Sequence, residues 1–312
     1  MIIRFIYLNL TIDDATCLII FIKKLLHNIL TLYHRMTYHA LDALSGILKV
    51  LSVRKLHIIS QNIASILFNY IPKRKNTALK NLKIAFPDKS DEWINVTLKK
   101  CYSFFTYNFL QFLAFPFDPN SIEIEVVGKK YLNNAINENS GTVLVSAHFG
   151  SWEILGYWFG INNYPLVGIA QKQKNKGANL FFEEKRQLSG TKQVYRKSSM
   201  DSLYEILNAN KILGLVSDQD AKGKGVFVDF FNKSASTHKG AALFHLNTNA
   251  PLIFGICVQK NIGKYRVEFI PINPRKKSIE DITQLYTTII EQSIKKYPEQ
   301  YFWFHNRWKT KQ

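Results

Sequence analysis

His148 and Glu153 fall in the stretch Val143-Leu-Val-Ser-Ala-His148-Phe-Gly-Ser-Trp-Glu153, and their types and spacing suit acid–base chemistry. The apolar run Thr142 to Ala147 reads as a buried strand that ends at the histidine. A carboxylate held against an imidazole fixes its tautomer and stabilises the imidazolium that forms when it takes a proton. On one ideal helix, residues five apart diverge by about 140°. The two side chains therefore meet only if the chain turns between them, with His148 outside a helix and Glu153 in its first turn. Gly150 permits that turn, and Ser151 suits the N-cap of a helix over 152–161. No Gly-x-Ser-x-Gly elbow is present, and Ser151 lacks that context. The hydroxyl that His148 would deprotonate is thus expected on a substrate. The competing reading of the spacing is a core histidine beside a surface glutamate; the strand and the Gly-Ser turn weigh against it.

Other residues gather polar chemistry at strand ends. Asp218 and Asp220 follow the apolar run Ile212–Ser217, and the carboxyl ends of strands in an open α/β sheet line the ligand crevice. An acidic pair there also serves as an ordinary turn or capping device. The segment 171–197 is basic and includes Arg186, whose fork geometry suits a phosphate, a carboxylate or a carbonyl oxygen. Near the C-terminus, Arg307 and Lys309 stand among Tyr301, Trp303 and Trp308, a set that suits a glycolipid or an interface, although the aromatics suit a core equally. Phe230-Phe231 are expected to shape an apolar tunnel or to lead into the next helix, with Thr237 as its N-cap. Oxyanion donors are expected from the backbone N–H groups of Gly150 and Ser151.

Hydrophobic periodicity sets these residues on a frame. Strands are expected over 122–127, 142–147, 165–170, 212–217, 251–258 and 264–270, and helices over 152–161, 175–188, 200–209, 237–247 and 279–296. Their alternation argues an α/β fold, a central mixed sheet flanked by helices. Upstream, residues 1–72 form an Ile- and Leu-rich helical region expected to associate with a membrane, and 73–120 a helical linker; the catalytic α/β domain takes 121–312. The uncharged run Leu56–Pro72 is flanked by Arg54-Lys55 and Lys73-Arg74-Lys75, which leaves open whether it lies on a membrane or spans one. Ala15–Ile22 is too short to span. No cleavable signal is expected in 1–35, and Met36 is a second possible start beside Met1.

The chain has 312 residues, a net charge of +18 and a pI near 9.7. Such a field favours anionic partners: anionic lipid, phosphorylated glycolipid, an acidic carrier protein or nucleic acid. No helix-turn-helix, zinc-finger or RNP-type motif supports the last. Cys17, Cys101 and Cys257 lie far apart with no CxxC pattern, which points to a reducing compartment.

Four segments, Lys80–Pro87, Ala147-His-Phe-Gly-Ser-Trp-Glu153, Ser217-Asp-Gln-Asp220 with the Phe230-Phe231 and Ala235-Ser-Thr237 stretch, and Pro298–Lys309, together resemble the lipid A biosynthesis (late, secondary) acyltransferases, a branch of the lysophospholipid acyltransferase superfamily. The resemblance runs from about 36 to 311. Asn306 departs from it, standing where a basic residue is common, and residues 1–35 have no counterpart. It implies a glycerol-3-phosphate acyltransferase-like fold and transfer of an acyl chain from an acyl carrier protein thioester to a hydroxyl of a lipid A precursor. His148 would be the base and Glu153 its orienter, with Arg186, Asp218, Asp220, Arg307 and Lys309 around the substrate. The site would face the cytoplasm at the bacterial inner membrane, without metal or other cofactor. The same chemistry on another membrane glycolipid or aminolipid, such as a phosphatidylinositol mannoside, with acyl-CoA or acyl carrier protein as donor, is the alternative.

Overall fold

A computed structural model describes residues 12–274 and 278–312; the first residues, Met1 among them, lie outside the described part, as do the side chains of 12–22, Cys17 included. Four helices come first: α1 (Ile12–Lys49), α2 (Val53–Tyr70), α3 (Pro72–Ala85) and α4 (Asp91–Leu113). Ser52 and Ser90 cap α2 and α4 by accepting from the N–H of Lys55 and Trp93, satisfying donors that a helix start leaves free. Then strands and helices alternate: β1 (Glu123–Val127), α5 (Lys129–Asn137), β2 (Thr142–Ser146), α6 (Trp152–Ile161), β3 (Leu166–Ala170), α7 (Lys176–Leu188), β4 (Lys192–Tyr195), α8 (Met200–Asn208) and β5 (Ile212–Val216). A hairpin of β6 (Val226–Phe230) and β7 (Lys233–Thr237) precedes α9 (Gly240–Thr248), β8 (Leu252–Asn261), β9 (Lys264–Ile272) and α10 (Ile279–Lys296).

The sheet has seven strands in the order β1-β9-β8-β2-β5-β3-β4. All neighbours run parallel except β8 and β9, so the sheet is mixed and flanked by helices, as expected. The middle strand, β2, is buried along its whole length, which is why it reads as a continuous apolar run rather than an alternating one. Helices α3 and α4 share one apolar cluster with it: Leu82, Ile94 and Leu98 pack with Val143, Phe254 and Ile290. The stretch expected as a linker is therefore built into the same core as the sheet.

Most of the run Leu56–Pro72 falls in α2, which buries Leu56, Ser60 and Ala64 on one face, and its last residue, Pro72, begins α3. Among the described residues, no helix is long and apolar enough to cross a membrane. In α1, residues 23–33 are exposed on every side, Leu25, Leu26, Ile29 and Leu30 included. Thr237 ends β7, paired with Val226, and Lys239 takes the N-cap position of α9; the expected cap is a strand residue because the hairpin register draws it into the ladder.

Candidate active site

The register of the sheet builds the site. In β2 and β5, Ser146 pairs with Val216, and the N–H of Ser217 donates to Ser146 O at 3.0 Å. Two residues further along each parallel strand stand His148 and Asp218, side by side. His148 Nδ1 lies 2.9 Å from Asp218 Oδ1, and the backbone N–H of His148 donates to the same oxygen at 2.9 Å. Asp218 is almost wholly buried, its side chain 2% exposed against 32% for His148. Burial alone would lower the imidazole pKa; the charge of Asp218 and its hydrogen bond outweigh it and raise it. Burial likewise opposes ionisation of Asp218, yet His148 holds that carboxyl below its ordinary range. With Nδ1–H spent on Asp218, the other ring nitrogen, Nε2, carries the free lone pair.

The backbone around His148 is clamped by the C-terminal segment. Phe149 and Tyr301 form an antiparallel bridge, Phe302 N–H donates to His148 O at 2.9 Å, and Gly150 N–H to Gln300 O at 2.8 Å. Gly150 sits at φ +64°, where a Cβ would stand 2.0 Å from Cys257 O, so no other residue fits this turn. Ser151 holds the N-cap position without a side-chain cap, and its N–H donates to Cys257 O at 2.7 Å. The amides of Gly150 and Ser151 are therefore occupied and supply no oxyanion donor. In α6 the first N–H with a backbone acceptor is that of Leu155, on Ser151 O at 3.0 Å. Among the described residues, those of Trp152, Glu153 and Ile154 have none.

Glu153 does not orient His148. It lies in the first turn of α6 and faces Arg186 in the last turn of α7, with Arg186 Nη2 at 2.6 Å from Oε1 and Nε at 3.1 Å from Oε2. Each charge sits at the helix end whose dipole favours it, and the fork matches both carboxylate oxygens. Arg186 Nη1 also donates to Gln193 at 3.2 Å. Burial works against the guanidinium's charge, and Glu153 more than restores it. The pair stands in the wall of a cavity of about 290 Å³ that runs between α4, α6 and α7. Phe105, Phe109 and Phe112 of α4, Trp152, Tyr157 and Phe302 make most of that wall apolar. Trp152 and Phe302 also flank the His148 ring, at centroid distances of 5.7 and 6.3 Å, so the histidine adjoins the cavity. An imidazole backed by a buried carboxylate beside an apolar cavity can activate a hydroxyl against a bound acyl group.

The chain matches the family described as bacterial lipid A biosynthesis acyltransferase over residues 28–310. It belongs to that family. A lipid A biosynthesis palmitoleoyltransferase of Escherichia coli (strain K12) is 24% identical over 249 residues, 78% of this chain and 81% of that one. A lipid A biosynthesis lauroyltransferase of the same strain is 21% identical over 80% of this chain and 83% of that one. A phosphatidylinositol mannoside acyltransferase of Mycolicibacterium smegmatis is 24% identical over 60% of this chain and 62% of that one. Among solved structures, the 1-acyl-sn-glycerophosphate acyltransferase of Thermotoga maritima covers 83% of this chain and 99% of that one, at 12% identity and a TM-score of 0.34.

In this lipid A acyltransferase-family chain the remaining expected residues separate. Arg307 is 2% exposed; it donates to Ser236 O at 2.6 Å and to Thr237 Oγ1, tying the C-terminal segment to β7. Burial pulls its pKa down, with Tyr301, Asp218 and Asp220 opposing. It is an internal brace rather than a residue at the ligand surface, because the hairpin covers it. Asp220 bridges to Thr237 and accepts from Thr310 at 2.9 Å. Lys309 is exposed near the chain end. Phe230 and Phe231 do not shape the cavity; Phe230 stacks on Trp308 at 5.6 Å and Phe231 meets Phe86 at 5.5 Å. The aromatic face of α4 escaped sequence reasoning, although Phe105, Phe109 and Phe112 recur at one helical face.

Proposed function

We propose that this protein transfers a fatty acyl chain from an acyl carrier protein thioester to a hydroxyl of a lipid A precursor. The observation that carries the reading is the His148–Asp218 pair beside an apolar cavity, in a chain of the lipid A acyltransferase family. The acceptor hydroxyl gives its proton to His148 Nε2 as its oxygen bonds to the thioester carbonyl carbon. Asp218 stabilises the imidazolium. The carbonyl oxygen becomes an oxyanion opposite the unengaged first-turn amides of α6 and the Arg186 guanidinium, positive groups placed where negative charge develops. The C–S bond then breaks and the leaving thiolate takes the proton from His148, giving an ester and a free thiol. Glu153 acts by holding Arg186 rather than by orienting the base.

The acyl chain takes the aromatic cavity, where each buried methylene contributes about 0.8 kcal/mol. The protein works at the cytoplasmic face of the inner membrane; the exposed apolar turns of α1 and the basic flanks of α2 support its lying in the interface. The likeness to the mycobacterial phosphatidylinositol mannoside acyltransferase favours, as second reading, the same chemistry on that class of glycolipid, with acyl-CoA or acyl carrier protein as donor. Mass spectrometry of lipid A from cells with and without the gene tests the first reading. Loss of one acyl mass, restored by wild type and not by His148→Ala, is the expected result. An unchanged lipid A profile refutes it and turns attention to the other glycolipids.

A further inference from the structure

Behind the cavity at the site lies another of about 370 Å³, lined by Leu48, Leu51, Val53, Leu56 and Ala114 among others. Gln111 and Phe117 line both. Resting on the reading of the first cavity as an acyl site, we propose that Gln111 and Phe117 form the wall that sets acyl chain length.

Both side chains are held in place. Gln111 is 4% exposed, and its Oε1 accepts from the Tyr265 hydroxyl at 2.7 Å. The Phe117 ring meets Phe115 and Tyr157, each at a centroid distance of 5.3 Å. Close by, Lys185 is fixed through Ser45 Oγ at 2.5 Å and Phe115 O. A chain entering from the α6 end gains from every methylene that meets aromatic surface, about fourfold in affinity each. At Gln111 that gain stops: one more methylene meets a polar amide it cannot bond to and presses on a ring braced by two others. The space behind the wall is already formed, lined by Leu48, Leu51, Val53, Leu56 and Ala114 together with the polar Lys49, Ser52, Asp118 and Ser121, so the wall, not a lack of room, ends the chain. Opening it lengthens the preferred chain; thickening it shortens the chain.

The full-length protein is titrated with saturated fatty acids of about ten to eighteen carbons, read by quenching of tryptophan fluorescence, since Trp152 lines the cavity. Wild type is expected to bind about fourfold tighter per methylene up to one length and to lose affinity beyond it. Phe117→Ala and Gln111→Ala each move that optimum longer, Phe117→Trp moves it shorter, and adding Leu56→Phe to Phe117→Ala moves it back. Transfer assays with acyl carrier protein thioesters of the same lengths should follow the same order. If Phe117→Ala does not fold, Gln111→Ala and Phe117→Trp carry the test. An optimum that stays put in every folded variant overturns the role of the wall and leaves the acyl-site reading standing. Failure of wild type to bind any chain length overturns both.

Discussion

His148–Asp218 and Glu153–Arg186 are two pairs of a basic residue and a carboxylate beside one cavity. The first joins two strand ends, and its carboxylate is shut away behind the imidazole, 2% exposed. The second joins two helix ends, with both partners about a quarter exposed in the cavity wall. Burial makes the first pair a device for setting a proton affinity, since an ion hidden from water must be answered by its partner. Partial exposure leaves the second facing the cavity, where the proposed reaction would bring an acyl group past its cation. His148 and Glu153, five apart in sequence, thus each take a partner from elsewhere in the chain.

The sharpest break of this contrast is His148→Ala. Loss of the general base should lower kcat/KM by about 10²–10⁴-fold or more, with the circular dichroism melt close to wild type because a third of the side chain is exposed. A collapse of the fold would instead make His148 a core residue.

Asp218→Asn comes next, at about 10³-fold or more, since an amide that accepts poorly favours the wrong tautomer. Its pH profile separates the two carboxylates. In the proposed mechanism the working base is neutral His148, whose pKa is net raised by Asp218, so wild-type activity should rise through a pH above the ordinary 6.5 of histidine. Removing the carboxylate leaves burial, which lowers that pKa, so the rising limb should move to lower pH while the plateau falls. Glu153→Gln should leave the limb in place. If Glu153→Gln moves it and Asp218→Asn does not, the assignment of orienter is reversed. The stability linkage runs the other way: the raised His148 pKa stabilises the fold below 6.5 and the effect fades as pH rises through the folded value.

Glu153→Gln and Arg186→Gln should each cost about 10- to 100-fold, read mainly in kcat. Combined, they should cost little more than one alone, since residues acting as a unit are not additive. Additive losses would mean that the 2.6 Å contact plays no part in the reaction.

The difference between the pairs also explains what the sequence disclosed. The frame was legible because its signals are local: β2 is apolar throughout, α6 begins at Trp152 and α10 runs over Ile279–Lys296, all within the expected bounds. His148 and Glu153 stood out for the same reason, being close in sequence. Partner choice is not local. Asp218 reaches His148 through the β2–β5 register, 70 residues away, and a pattern of spacing carries no register between separate strands. Arg307 misled for the opposite reason: a basic residue among aromatics looks like a ligand surface until the β6–β7 hairpin is seen to cover it. That short hairpin left little periodicity to read. The cavity escaped because its aromatic stripe on α4 has the spacing of any core-facing helix.

Arg307 and Lys309 give the smallest and most separable effects. Arg307→Met should destabilise the fold by about 2–3 kcal/mol, because Ser236 O and Thr237 Oγ1 lose a charged donor inside the protein. The charge of Arg307 also helps to hold Asp218 ionised, so activity should fall somewhat further than the folded fraction. Lys309 is exposed, so Lys309→Ala should change stability by no more than about 0.5 kcal/mol. What it changes depends on whether an anionic surface lies against the chain end. On vesicles containing anionic lipid, loss of one lysine should weaken binding by about 1 kcal/mol if that end faces the membrane, and the deficit should shrink as salt is raised. Equal binding by Lys309→Ala and wild type at low salt would place the membrane contact elsewhere, on the exposed turns of α1.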